Sequence, residues 1–384
     1  MPWKECTVMS QREEFLKKLQ GTKISISSLC REFGISRPTA YKWKKRFGEQ
    51  SLFGLKDRSK APHRSPTKTA ESMTHLVLSI RDQHTFWGGE KIRRHLINQG
   101  FTEMPSSKTI NRILKRYGRI TEEESEKHKA WKRFEHEHPN DLWQMDFKGE
   151  FKLGNGQWCY PLTVLDDHSR FLLLLEACPN QRGETVQEAL TKLFKKYGLP
   201  KRMTMDNGPP WGYSRTQQHT ALCAWLMRLG IQVSHSRPGH PQTQGKLERL
   251  HRTLKAELLS RYSFENINEA QDGFDYWRGI YNEVRPHGAL NLDLPADRYV
   301  PSDRSYPEKI PDVAYETNSL LRKVQKDGMI SYQGKQYLIG TPFYSFPVKL
   351  ETNEDNSNLM NVYFCQQRVL LLDLNKYHRI RSKV

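Results

Sequence analysis

A change of period at Leu142 constrains this chain more than any other feature. Downstream of it, WQMDF, YPLTVLDDHS and FLLLLEA are short β-rich runs, residues 184–197 carry a helical pattern, and RMTMDNG is a further strand. Residues 217–229 then read as a helix and IQVSHS as a fifth strand. Strands alternating with helices predict an α/β domain, and this one ends in a long helix over residues 244–261. After His287 the helical signal fades, and YQGKQYLIG, PVKLET, NVYFC and RVLLLD predict a small C-terminal β module. Upstream of Leu142 the apolar residues recur at helical spacing instead. A length of 384 residues allows two or three domains, at about 150 residues each.

Charge follows the same division. Lys and Arg number 61 against 43 Asp and Glu, a formal net charge of +18. Residues 1–140 hold 29 basic against 16 acidic side chains, whereas residues 141–384 hold 32 against 27. A basic arm on a nearly balanced domain favours a polyanionic partner, nucleic acid before others, because phosphate neutralisation releases counterions. A solvated, solubilising surface is the bland alternative. No apolar run approaches the roughly 18 residues of a membrane span, and the first twenty residues lack the apolar core of a signal peptide. A soluble, intracellular protein is expected. Six cysteines, Cys6, Cys30, Cys159, Cys178, Cys223 and Cys365, are dispersed without a CxxC pair. That pattern predicts reduced, buried thiols and neither disulfides nor structural zinc.

Two short helical units fill the basic part. In SLCREFGISRPTAYKWKKRF, residues 28–47, Leu29 and Phe33 mark one short helix and Gly34 supplies a turn. Ser36 is a natural N-cap for a second helix, with Pro38 in its first turn. Ala40, Trp43 and Phe47 would face inward, leaving Arg37, Lys42, Lys44, Lys45 and Arg46 for phosphates and base edges, as on the recognition helix of a helix-turn-helix. Three-helix units with basic surfaces are also ordinary protein modules. A second, more weakly supported unit over residues 73–118 carries Lys91, Arg93, Arg94, Arg112, Lys115 and Arg116. Between them, residues 51–72 are rich in Pro, Ser and basic residues and read as an extended linker. Residues 119–140, densely charged with Trp131 and Phe134 as anchors, suggest a connecting helix, and His136 and His138 there read as surface histidines.

Three carboxylates stand where phosphodiester chemistry would want them. Asp146 sits in a predicted buried strand, Asp206 ends another at DNGPPW, and Glu248 lies on the helix GKLERLHRTLKAELL. On that helix Leu247, Leu250, Leu254 and Leu258 form the apolar stripe, while Glu248, Arg252 and Lys255 share a different face. Enzymes that cut phosphodiesters commonly use two divalent metals, and carboxylates suit magnesium. On spacing alone, a strand Asp is as readily a turn or capping residue, and a Glu four before an Arg a surface ion pair.

The runs DLWQMDFKG, LTVLDDHSRFLLL, TMDNGPPW, SRPGHPQTQGKLERLHRTLK and YNEVRPHGAL, in this order, resemble the integrase core of bacterial insertion-sequence transposases of the Asp-Asp-Glu type, relatives of retroviral integrases. LKDRSKAPHRSP and FWGGEKIRRHL look like the front of those proteins, so the likeness covers nearly the whole chain. The fold class it implies is multidomain α plus α/β. Helix-turn-helix units (residues 1–50 and 73–118, with the linker 51–72 between and the connecting helix 119–140 after) would precede a ribonuclease-H-like core over 141–300 and a β-rich module over 301–384. It further implies that Asp146, Asp206 and Glu248 hold two magnesium or manganese ions, and that Gln244, Lys246, Arg252 and Lys255 contact DNA beside Arg37, Lys42, Lys44 and Lys45. Asp166 and Asp167 fall in the DDHSR segment, read as structural in that family. Asp206 and Glu248 stand 42 positions apart, wider than in the best-known members, the extra residues falling in GYSRTQQH.

The activity implied is cleavage at the element's terminal inverted repeats to free a 3′-hydroxyl, followed by attack of that hydroxyl on target DNA, without a covalent enzyme intermediate. A homodimer or larger synaptic assembly on double-stranded DNA, in the bacterial cytoplasm and away from membranes, goes with it. Two other readings stay open: a DNA-binding regulator or domesticated, inactive relative, and a structure-selective nuclease. Three carboxylates that repel each other and DNA have no use in a binding protein unless a cation neutralises them, which places catalysis first.

Overall fold

Serines start two of the first three helices by capping them. Ser25 accepts from the Ser28 N–H ahead of α2 (Ile26–Glu32), and Ser36 accepts from the Thr39 N–H ahead of α3 (Arg37–Gln50). Gly34, at φ +62°, makes the left-handed turn between them. With α1 (Val8–Gly21) and a 3₁₀ turn at Ser51–Leu55, these helices enclose Phe15, Leu16, Leu29, Cys30, Ala40, Trp43 and Leu55. The Arg12 guanidinium lies 3.8 Å over the Trp43 ring. Gly54 allows the 3₁₀ turn to lie against α3, since a Cβ there would meet the Arg46 carbonyl oxygen at 2.1 Å. Leu55 is thus core rather than linker, contrary to the extended segment expected from residue 51.

The computed structural model describes residues 7–21, 24–58, 69–120, 135–212, 219–236 and 245–376, and the chain divides into two compact units between Lys68 and Thr69. Residues 59–68, most of the expected linker, and 121–134, most of the expected connecting helix, lie outside the described residues. Residues 135–140 are irregular, not helical.

The second unit opens with α4 (Glu71–Gln83), α5 (Gly89–Asn98) and α6 (Ser107–Arg116), packed around Val77, Trp87, Ile92, Leu96, Ile110 and Leu114. Six strands follow in one mixed sheet: β1 (Leu142–Phe147), β2 (Phe151–Lys152), β3 (Trp158–Asp166), β4 (Leu172–Cys178), β5 (Arg202–Met205) and β6 (Gln232–His235). Their order is β2-β3-β1-β5-β6, with β4 also on β3. β1, β3 and β4 are antiparallel neighbours, whereas β5 and β6 run parallel to β1. Parallel pairing needs crossovers, supplied by α7 (Gly183–Tyr197) and α8 (Ala221–Arg228).

Helices cover both faces. On one, α7 and α8 bury Leu190, Phe194, Cys223 and Leu226 against Trp143, Met145, Leu162 and Val164. On the other, α9 (Gly245–Leu254), continued by a π-helical turn at Lys255–Leu259, lays Leu247, Leu250, Leu254 and Leu258 against Leu165, Leu172 and Leu175, beside α10 (Ile267–Gly279). The apolar stripe expected on this helix is the face it buries. A π-helical turn at Ile280–Val284 carries α10 onward, and Ile280 and Val284 pack on the α4–α6 core. A short α11 (Pro295–Arg298) precedes the C-terminal strands.

Those strands are β7 (Leu320–Lys323), β8 (Met329–Tyr332), β9 (Lys335–Leu338), β10 (Pro347–Thr352), β11 (Leu359–Phe364) and β12 (Gln367–Asp373), in a four-stranded sheet β12-β11-β10-β7 and a β8–β9 hairpin. They share the core of the main sheet through Ile330, Phe343, Val362 and Phe364. At the open edge of the main sheet, the Gln367 amide accepts from the Val233 N–H at 2.8 Å and donates to its carbonyl at 2.6 Å. A side chain thereby closes an edge that would otherwise offer unpaired backbone groups.

Candidate active site

Alternation along β1 decides where its acid points. Trp143 and Met145 join the core under α7 and α8, so Gln144 and Asp146 face the α9 side. Parallel register decides its neighbour. Gln144 pairs with Thr204 across β1 and β5, so two residues on, Asp146 and Asp206 stand side by side where the two strands end. Helix α9 crosses the same end of β1 with Glu248 exposed in its first turn.

The charges of Asp206 and Glu248 sit close enough to act on Asp146. Burial, then the Asp206 charge and more weakly that of Glu248, push the Asp146 carboxyl up to about 7. Burial likewise raises Asp206, opposed by the Gly208 N–H, which donates to its Oδ1 at 3.0 Å. The side chain of Asp146 keeps 27% of its exposure, an opening through which a substrate can reach it. Among the described residues, Lys148 opposes the Asp146 shift only in part, so the cluster keeps its excess of negative charge. A site of hard oxygen donors at the cost of mutual repulsion suits a divalent cation, and all three residues fit that role by type and placement.

Sequence reasoning overlooked His251, one turn after Glu248. Its Nε2 lies 2.8 Å from the Thr163 hydroxyl, which donates to the Asp146 carbonyl oxygen at 2.9 Å. Because that hydroxyl has given its only proton, the imidazole donates from Nε2 and keeps Nδ1 bare, 3.9 Å from Asp146 Oδ2. Burial, with Lys148 nearby, lowers His251 to about 4, so the ring is neutral. A His three positions after the candidate ligand was the only sequence signal, and it is a weak one.

The neighbouring acids do different work. Asp166 is buried and accepts from the Ser169 N–H and hydroxyl and from the Asn140 N–H, holding the turn after β3. Asp167 binds the Gln144 amide and pairs with Lys246 Nζ at 2.5 Å. Lys246 also donates to the Asp167 carbonyl oxygen, so it is committed inside the protein instead of being offered to DNA. Arg252 and Lys255 are exposed on the Glu248 face, and Arg37, Lys42, Lys44 and Lys45 are exposed on α3. Gln244 lies outside the described residues, as do residues 213–218 of the widened spacing.

A mixed sheet of this order, with acids at the ends of β1 and β5 and a third on a crossing helix, defines an integrase-type core. Integrase core domain models match residues 136–241 and 229–295, a helix-turn-helix domain matches 11–63, and a homeodomain-like domain matches 39–114. Residues 320–379 match the C-terminal domain of the IS481 family of transposases. The chain therefore carries N-terminal helix-turn-helix elements, an integrase core and an IS481-type transposase C-terminal domain.

Similar proteins include products of bacterial mobile elements. The insertion element IS476 uncharacterized 39.2 kDa protein of Xanthomonas euvesicatoria is 30% identical over 158 residues, 41% of this chain and 44% of that one. The insertion element IS407 uncharacterized 31.7 kDa protein of Burkholderia multivorans is 29% identical over 159 residues, 41% and 55%. The chain thus spans about half the length of these two curated relatives. The transposase for transposon Tn552 of Staphylococcus aureus is 24% identical over 378 residues, 85% of this chain and 75% of that one. Among the described residues, no helix is long and apolar enough to cross a membrane.

Proposed function

We propose that this chain is a transposase that binds the terminal inverted repeats of an insertion sequence and carries out DNA cleavage and strand transfer. The observation that carries the reading is the strand register that sets Asp146 beside Asp206 with Glu248 on the crossing helix. Asp146, Asp206 and Glu248 would hold magnesium or manganese, two ions in all. Bound there, such cations make it easier to gather charge on the attacking and departing oxygens of a phosphodiester. Thr163 and His251 hold the Asp146 backbone in place, and the Gly208 N–H orients the Asp206 carboxylate. Arg252 and Lys255 lie on the solvent face of α9, where they can bind the DNA backbone beside the acids. The basic residues of α3 would seat the element ends, and two copies of the chain or more would hold two ends together.

The test is a magnesium-dependent cleavage and strand-transfer assay on DNA carrying the element ends, comparing the native protein with Glu248→Gln. Specific nicks and joined products, lost by at least about 100-fold in the variant, are expected. Cleavage that survives the substitution moves the third carboxylate elsewhere. End binding with no cleavage under any divalent ion favours a DNA-binding regulator, and cuts without joined products favour a plain nuclease.

A further inference from the structure

On the α7–α8 side of the sheet, His219, Cys223 and His235 bring one ligand atom each within 4.8 Å of one another. His219 precedes α8, Cys223 lies in its first turn, and His235 ends β6. They are separate from the three carboxylates in chemistry, offering two nitrogens and a sulfur.

Both imidazoles are wired in the same way. The His235 Nδ1–H donates to the Asp206 carbonyl oxygen at 2.8 Å, which leaves Nε2 with a bare lone pair, and that atom is buried without a partner among the described residues. The His219 ring hydrogen-bonds the Val369 carbonyl, and its Nδ1 is likewise buried with no partner among the described residues. One ring nitrogen donating to a backbone carbonyl while the other stays bare is how metal-binding histidines are oriented. Two such lone pairs, facing a thiol and excluded from water, are costly to leave unmatched. Burial holds His219 down to about 4, so protonation does not resolve the mismatch. The Cys223 Sγ is positioned as well: its S–H donates to the Trp211 carbonyl oxygen at 3.1 Å, and the Thr220 hydroxyl, 3.5 Å away, donates to the sulfur.

We infer that His219, Cys223 and His235 form a binding site for one borderline-soft divalent cation, zinc by preference, distinct from the carboxylate site. Two imidazoles and a thiolate suit zinc and do not suit magnesium. Binding replaces the Cys223 S–H bond by a sulfur–metal bond and releases one proton to solvent; the Thr220 hydroxyl remains to donate to the thiolate. Tetrahedral zinc holds such donors about 3.5 Å apart, so the side chains close in by about 1 Å, and a water completes the fourth position. Because His235 holds the Asp206 carbonyl and His219 holds Val369, the ion would tie the C-terminal strands to the loop that carries Asp206. The sequence expectation of no structural zinc rested on the missing CxxC pair; the ligands come from three elements that only the fold assembles. This inference does not depend on the transposase reading.

The experiment uses the full chain with Asp146→Asn, so that cations on the carboxylate site are not counted. Zinc is measured by mass spectrometry after dialysis into metal-free buffer, and cobalt is then substituted and its absorption recorded. About one zinc per chain and a thiolate-to-cobalt charge-transfer band are expected, both lost in Cys223→Ser and in His219→Gln. Circular dichroism establishes that each variant is folded, and the second variant decides if the first is not. A folded protein that takes up neither zinc nor cobalt overturns the inference. So does a band that persists in a folded variant, which would place the ion on other cysteines.

Discussion

Asp206 does two separable things: its carboxylate faces Asp146, and its Oδ1 caps the Gly208 N–H. Asn keeps the acceptor and removes the charge. Asp206→Asn is therefore expected to abolish cleavage while end binding in a gel-shift assay stays largely intact; full activity would remove Asp206 from the metal site. Lys91 makes a different residue-scale prediction. Burial and the nearby Arg285 lower it to about 7, so between pH 7 and about 10 the unfolded chain binds the extra proton and stability rises with pH. Lys91→Met should raise the melting temperature at pH 6–7, and the gain should fade toward pH 10, by up to about 1.4 kcal/mol per pH unit. A gain that does not vary with pH would show that Lys91 keeps its ordinary titration. Local spacing revealed the Glu248–Arg252–Lys255 face but could not reveal that Lys246, two positions before Glu248, turns inward to a buried aspartate.

Helices were legible because their causes are local. Ser36, Pro38 and the 3.6-residue period specify α3, and the four leucines specify which side of α9 is buried. The α3 face predicts its own test: replacing Lys44 and Lys45 with Ala should weaken DNA binding and flatten the log–log salt dependence by up to about one unit per lost phosphate contact. An unchanged slope would take α3 out of the DNA interface. Element ends were less legible where tertiary contacts set them. The 3₁₀ turn at Ser51–Leu55 opens a stretch whose composition as a whole is linker-like, yet it is ordered because Gly54 fits against α3 and Leu55 fills the core.

Across the whole molecule, the C-terminal strands contribute side chains to the same core as the main sheet. Gln367 is the point where that contribution becomes specific, since one amide satisfies both backbone groups of Val233. Gln367→Ala should cost about 1–3 kcal/mol, read as a lower melting temperature with DNA binding by α3 unaffected; an unchanged melt would mean that water replaces the amide at this edge. By itself the sequence determined the order of the main elements though not the short β2, the amphipathic faces and the basic arm, because each of these depends on residues a few positions apart, while the three acids stood out as candidates through the resemblance of the motifs around them. The tertiary structure alone decided that Asp146 and Asp206, sixty residues apart, end on adjacent parallel strands, that His251 reaches Thr163, and that His219, Cys223 and His235 converge. The physical reason is that strand register and helix crossing are settled by how whole faces bury against one another, and no window of local sequence contains both partners of such a contact.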